Sequence, residues 1–417
     1  MTTVPAWTRG EIERFLERER LAYQRIELPH GLATPGESRA GMCDVIFRDV
    51  AGKSVLDVGS YLGYFCQEAL RRGAVSAHGI EVDANKVRQA RALAEMNGLA
   101  VSFQHADIES CALPGTYDVV LCLNVVHHLF DPIGVIRRLA RAAREKLVLE
   151  VASLDPRDAR KLGLGFFARR VVTRLPILYL ASGVGSTAVR TNAQKFFFTP
   201  HAVLHLLRDH TKLFSAVEVM PSGFKGRFIA IAKRREISRL LVVSGPTAAG
   251  KTTFLEQLSA GTLPAAIRSQ LPPDCERWPL LRAASIGSEA LHAIDGTRLD
   301  VPRLDGLVLE YDTMRPIETA THTFERDSAL DFMECAHETT VVSLQPSPER
   351  LLRQHRASEE AAARSGAKRR PALRRHREQL LEDYANTAFV EAEQAKWASY
   401  LSARHPGARV IAPRWPA

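Results

Sequence analysis

Two glycine-rich turns limit the folds open to this chain more than any other feature. Each stands where a short β-rich run gives way to a helical pattern. The first is Val55-Leu56-Asp57-Val58-Gly59-Ser60-Tyr61-Leu62-Gly63. The second is Leu240 to Ser244 followed by Gly245-Pro246-Thr247-Ala248-Ala249-Gly250-Lys251-Thr252. A strand that enters a helix through glycines brings backbone N–H groups close to a ligand. Two such openings in 417 residues predict two α/β units, each large enough to bury a core.

The flanking pattern agrees. After a helix over about Arg9 to Gln24 and a turn-rich stretch from His30-Gly31 to Pro35-Gly36, β-rich runs recur at Ser54–Val58, Ala77–Val82, Val101–His105, Tyr117–Leu123 and Lys146–Val151. Helical spacing fills the gaps, with Asn97-Gly98 ending one helix and Asp131-Pro132 opening another. This alternation predicts a parallel sheet covered on both faces. Val217–Val219 and Phe228–Ala232 read as a closing strand pair, and the charged Lys233 to Glu236 as a boundary. The expected domains are therefore 1–235, with a basic insertion over 152–195, and 236–417. In the second, further runs at Leu307–Tyr311, Thr340–Leu344 and Arg409–Ile411 precede or follow a long helical stretch over roughly Pro348 to Ala403.

Composition adds exclusions. At 46% hydrophobic and 25% charged residues, the chain is outside the disordered and collagenous classes. Six cysteines without a CxxC pair argue against a metal site or disulfide scaffold and suggest a reduced, cytoplasmic chain. Leu175 to Val184, the longest apolar candidate, is too short to span a membrane and contains Pro176. Charge is uneven. Residues 151–235 hold 15 Lys and Arg against 4 Asp and Glu, while the flanking segments each sum to −1. That clustering favours an anionic partner, with Arg169, Arg170, Arg174 and Arg190 as candidate substrate contacts.

The first turn ends its strand with an acid. Asp57 would repel a pyrophosphate but suits the ammonium of an amino-acid moiety. Glu81, at the end of the next run, is placed to accept two ribose hydroxyls, and Asp107 to meet an adenine amino group. Asn124 and His127-His128 follow the fourth run. His128, and less so His127, is a candidate base for an oxygen nucleophile, since histidine titrates near neutral pH.

These pieces (VLDVGSYLGYF, GIEVD, HADIE and YDVVLCLNVVHHLFDP) resemble the class I S-adenosylmethionine-dependent methyltransferases over about residues 50–235. The stretch YQRIELPHGLATPG looks like methyltransferases related to the tRNA wobble-uridine carboxymethyl-transfer enzyme. The resemblance implies a Rossmann-like domain in which Asp57, Gly59 and Gly63 hold the methionine part of S-adenosyl-L-methionine, Glu81 the ribose, and Asp107 with Ile108 the adenine.

The second turn has the spacing GxxxxGK[ST] between a strand and a helix, a phosphate cradle. Gly245, Gly250 and Thr253 would contribute backbone contacts, Lys251 would neutralise phosphate charge, and Thr252 would hold Mg²⁺. Leu307 to Asp312 reads as a strand ending in acids, with Asp312 a second metal candidate and Arg315 beyond it. This half resembles small P-loop kinases of the nucleoside-monophosphate-kinase type, which implies ATP as cofactor and a mobile lid in the segment containing Arg353, Arg356 and Arg377. The combined expectation is an α/β enzyme that transfers methyl and phosphoryl groups to one anionic or hydroxyl-bearing acceptor: a sugar, glycan end or small metabolite. The alternative is an RNA-modifying methyltransferase with an assisting ATPase domain.

Overall fold

Parallel strands need long crossovers, and in this chain helices supply several of them. The computed structural model describes residues 7–153, 165, 171–172, 174–180, 196–282, 303–314, 323–364 and 371–413. The chain divides into two units, Met1–Arg234 and Arg235–Ala417.

In the first unit, helices α1 (Arg9–Glu19) and α2 (Ala40–Ile46) precede β1 (Ser54–Val58), α3 (Tyr64–Arg71), β2 (Ser76–Glu81), α4 (Ala84–Met96), β3 (Ser102–His105), β4 (Tyr117–Leu123), α5 (Pro132–Ala142) and β5 (Ala143–Ala152). The short helix α6 (Pro200–Leu204) leads to β6 (Phe214–Pro221) and β7 (Arg227–Arg234). The seven strands lie in the order β3-β2-β1-β4-β5-β7-β6. The first five are parallel, while β7 runs antiparallel to both β5 and β6. Chain order reverses between β1 and β4, so the crevice beyond their C-terminal ends is the topological switch point. Both strands are apolar along most of their length because helices cover both faces.

Local signals set the helix ends. Thr8 and Glu11 form a reciprocal capping box on α1. The Asp83 carboxylate accepts from the N–H groups of Asn85 and Lys86, and Asp131 caps α5 through Gly134. Helix α1 stops at Glu19, short of the expected Gln24, because Arg20 turns left-handed at φ 47°. The chain then runs extended, with bridges Gln24 to Glu37 and Glu27 to Ala33. The buried Thr34 hydroxyl joins the two arms by donating to the Gln24 carbonyl at 2.6 Å and accepting from Ile26 N–H at 2.7 Å.

In the second unit, β8 (Glu236–Gly245) is followed by α7 (Lys251–Ala260), α8 (Ala265–Arg268), β9 (Leu280–Arg282), β10 (Arg303–Asp312) and β11 (Ala336–Ser343). Helices α9 (Pro348–Arg364), α10 (Pro371–Ala385) and α11 (Thr387–Arg404) then lead to β12 (Arg409–Ile411). The sheet order is β9-β10-β8-β11-β12, all parallel. The single long helical stretch expected after Pro348 is thus three helices. Pro371 sits at the start of α10, and Asn386 caps α11 by accepting from Phe389 N–H. Leu241, Val243, Phe254, Val308, Val342 and Leu351 form the heart of this core.

Candidate functional site

In the first unit, Asp57 ends β1 inside the protein, 1% exposed. Burial, with the Glu81 carboxylate nearby, pushes its pKa from 3.8 up to about 7. The Cys66 thiol donates weakly to it at 3.9 Å. A cation brought beside it would favour its ionised form. The turn beyond it is tight: Gly59 and Gly63 have φ of 74° and 78°, and a Cβ on Gly59 would lie 2.3 Å from the Val125 side chain. Gly59 N–H donates to the Ile80 carbonyl at 2.8 Å, fastening the turn to β2.

Glu81 is 9% exposed and already has a structural task. It accepts from Tyr61 N–H at 2.9 Å and Asp83 N–H at 3.0 Å, one on each carboxylate oxygen. Each oxygen retains a lone-pair direction for a hydroxyl. Asp107 is exposed and accepts from Glu109 N–H at 2.9 Å, while Ile108 beside it is buried. Arg138 holds this loop through the Ile108 carbonyl at 2.9 Å. Asp57, Gly59, Gly63, Glu81, Asp107 and Ile108 thus fall on the ends of β1, β2 and β3, along one rim of the sheet.

Asn124 ends β4 in a left-handed conformation, φ 64°, and its buried Oδ1 has no partner. His127 and His128 follow on a 3-10 turn with ring centroids 4.2 Å apart. Burial drives the His127 pKa from 6.5 down to about 3, helped by His128 and Arg227, and its Nδ1 is unpartnered. His127 is therefore a weak base. His128 is half-buried.

Sequence reasoning missed the N-terminal arm. The buried Gln24 side chain accepts from Leu62 N–H at 3.2 Å, and the Tyr23 ring meets Tyr61 edge-on at 5.5 Å. The arm thus braces the first glycine turn directly. The YQRIELPHGLATPG stretch was its only signal. Of the expected substrate arginines, Arg174 is exposed, whereas Arg169, Arg170 and Arg190 lie outside the described residues. Part of the basic excess has structural work: Arg234 donates to the carbonyls of Ala140 and Ala143, and Arg208 pairs with Asp209.

In the second unit, the turn from β8 into α7 has Gly250 at φ 89° as the N-cap. A Cβ on Gly245 would lie 2.6 Å from the Leu344 carbonyl oxygen. Lys251 is 7% exposed, and its ammonium donates to the carbonyls of Gly245 and Pro246 at 2.8 and 2.7 Å. It also lies 3.4 Å from Asp312, which accepts from the Thr247 hydroxyl at 2.6 Å. Thr252 and Thr253 are exposed on the first turn of α7. Arg315 lies outside the described residues, and Arg377 is paired with Glu359.

Residues 55–146 match the family model of a methyltransferase domain. Curated relatives include the ubiquinone biosynthesis O-methyltransferases of Neisseria meningitidis serogroup A, 32% identical over 99 residues, and Pseudomonas paraeruginosa, 37% identical over 97. Each match covers 23% of this chain and 42% or 41% of the relative. The chain therefore spans less than half the length of these relatives. Among solved structures, the N-terminal domain of EvdMO1 in the presence of SAH and D-fucose matches at 18% identity and a TM-score of 0.42, over 56% of this chain and 100% of that one. The strand order, the turn after β1 and the family match coincide on one stretch of sequence: the first unit carries a Rossmann-like methyltransferase domain.

Proposed function

We propose that the first unit transfers a methyl group from S-adenosyl-L-methionine to an oxygen of a small-molecule acceptor. The observation that carries this reading is Asp57, a buried acid at the end of β1 with no salt-bridge partner among the described residues. The ammonium of a bound methionine moiety would compensate it, and Gly59 and Gly63 leave the backbone approach open. When bound, the sulfonium supplies an activated methyl for in-line displacement. The chain's share is orientation, exclusion of water and removal of the acceptor's proton. His128 is assigned that last role, and Glu81, Asp107 and Ile108 hold the nucleoside. The O-methyltransferase relatives favour an oxygen acceptor. Calorimetric titration of the full chain with S-adenosylhomocysteine tests the site, and absence of binding to folded protein would remove the assignment.

For the second unit we propose ATP-dependent phosphoryl transfer at the Gly245–Thr252 turn. Its support is the phosphate-cradle spacing off the central strand of an all-parallel sheet, with Lys251 and Asp312 adjoining it. Lys251 would exchange its loop carbonyls for phosphate oxygens, and Thr252 and Asp312 would hold Mg²⁺. One acceptor serves both units in this reading. Feeding candidate acceptors with ATP alone, S-adenosylmethionine alone and both together tests it: equal methyl transfer without ATP or prior phosphorylation would separate the two activities.

A further inference from the structure

Arg39 is unusual among the charged side chains of the first unit. It is 4% exposed, and its Nη2 has no hydrogen-bond partner. Two aromatic rings cover its guanidinium: the Phe224 ring centroid lies 3.6 Å from Cζ and the Tyr23 centroid 4.6 Å. Stacking occupies the faces of the guanidinium, while its N–H donors point outward in its plane. A buried donor without an acceptor calls for an explanation, and a missing ligand is one.

Arg39 lines a cavity of about 490 Å³ together with Tyr23, Gly36, Glu37, Phe224, Lys225 and Arg227. Three cations thus line it with one exposed acid, Glu37, and the buried Glu150 lies behind, 3.7 Å from Arg227 Nη1. The cavity also connects with the methyltransferase machinery. The Tyr23 hydroxyl accepts from Asn124 Nδ2 at 3.3 Å and from Arg227 at 3.5 Å, and the Tyr23 ring meets Tyr61 in the glycine turn. Lys225 and Arg227 also line a second, larger cavity of about 620 Å³, walled by Leu204, Val219, Met220 and Phe228 with His201 at its side. That volume lies within the usual range for small-molecule sites.

We infer that these adjoining cavities form the acceptor site, the larger taking an apolar body and the Arg39–Lys225–Arg227 cavity a carboxylate or phosphate on the same molecule. The inference rests on the methyltransferase reading above and names the class of its substrate: an amphiphilic acid. Arg39 offers in-plane donors suited to either oxyanion, Arg227 adds charge beside the same Phe224 ring, its Cζ 5.6 Å from the centroid, and Tyr23 ties the acid's position to the methyl donor's turn.

The test is calorimetry on the full chain, with and without S-adenosylhomocysteine, using 4-phenylbutyrate, 4-phenylbutyl phosphate and 4-phenylbutanol. The expected result is that at least one acid binds about tenfold or more tightly than the alcohol, and the tighter acid identifies the headgroup. Arg39→Met should erase that preference while leaving the affinity for S-adenosylhomocysteine unchanged. Arg39→Lys and Arg227→Lys, which keep the positive charge but lose the planar fork, are the alternatives if the first variant does not fold, and each should weaken the preference. Equal binding of acid and alcohol, no binding of any probe, or a preference that survives these substitutions would overturn the inference. Acid preference without any S-adenosylhomocysteine binding would leave the pocket standing and remove the methyl-transfer reading instead.

Discussion

The glycine turns of the two units have the same construction and opposite electrostatics. Each leaves an interior strand flanked by two parallel neighbours and enters a helix through a glycine in the left-handed region, Gly63 in one and Gly250 in the other. The first presents a buried acid, Asp57, and the second a buried ammonium, Lys251. Backbone geometry brings a ligand close in both cases, and the sign of one side chain selects which ligand. An acid at the strand end disfavours phosphate and welcomes an ammonium, while a lysine does the reverse.

Crossed substitutions offer the sharpest way to break this contrast. Asp57→Asn should lower S-adenosylhomocysteine affinity by about 100-fold, the loss of a charge-assisted contact, and leave ATP affinity untouched. Lys251→Met should lower Mg²⁺-ATP affinity by about 30-fold and leave S-adenosylhomocysteine binding intact. Calorimetry on the two variants with both ligands fills all four cells. A variant that weakens both ligands equally would mean that the turns are not independent sites selected by charge.

Glu81→Gln should have a smaller effect, about tenfold on S-adenosylhomocysteine, because the amide oxygen can still accept one of the two backbone N–H groups. A loss as large as that for Asp57→Asn would show that the turn itself had come loose.

Acidity supplies the finest test, since two buried groups of the first unit pull in opposite directions. Asp57 keeps its proton in the fold up to about pH 7 against an ordinary 3.8, so its contribution to stability is full below pH 4 and is lost as pH rises toward 7. His127 stays neutral down to about pH 3 against an ordinary 6.5, so its contribution is full above 6.5 and is lost as pH falls. The two slopes oppose each other across nearly the same window, so each variant's melting profile, set against the wild type's, isolates one of them. Asp57→Asn should make the melting temperature climb more steeply from pH 4 to 6.5 than in the wild type, and His127→Gln should make it climb less steeply. Parallel profiles for the two variants would contradict the burial argument.

Sequence carried the strand order's raw material well, because strands, caps and glycine turns are local signals. The Asp131 cap, the Asn97-Gly98 stop and both turns were legible for that reason. The acids at Glu81 and Asp107 were legible as strand-end residues, but Glu81's hold on the Tyr61 and Asp83 amides was not. Arg39, Tyr23 and Gln24 were invisible as site residues. Their partners, such as Phe224, Arg227 and Leu62, are remote in sequence, and a stretch of extended chain has no periodicity to announce what it touches. The basic count pointed to an anion, yet it directed attention to 152–195, while the buried arginine of the cation-lined pocket lies upstream of β1.

The interior position of β1 and β8 also bears on how the chain is made. Each is the first strand of its sheet to be synthesised, but one of its neighbours arrives only with β4 or β11, after two intervening strands. A ribosome therefore releases each glycine turn long before its strand is flanked on both sides. The loop-closure entropy of that late pairing must be met before the turn acquires its final shape. Truncated nascent chains ending before Tyr117 or before Ala336 would carry an intact motif and lack the sheet that holds it open.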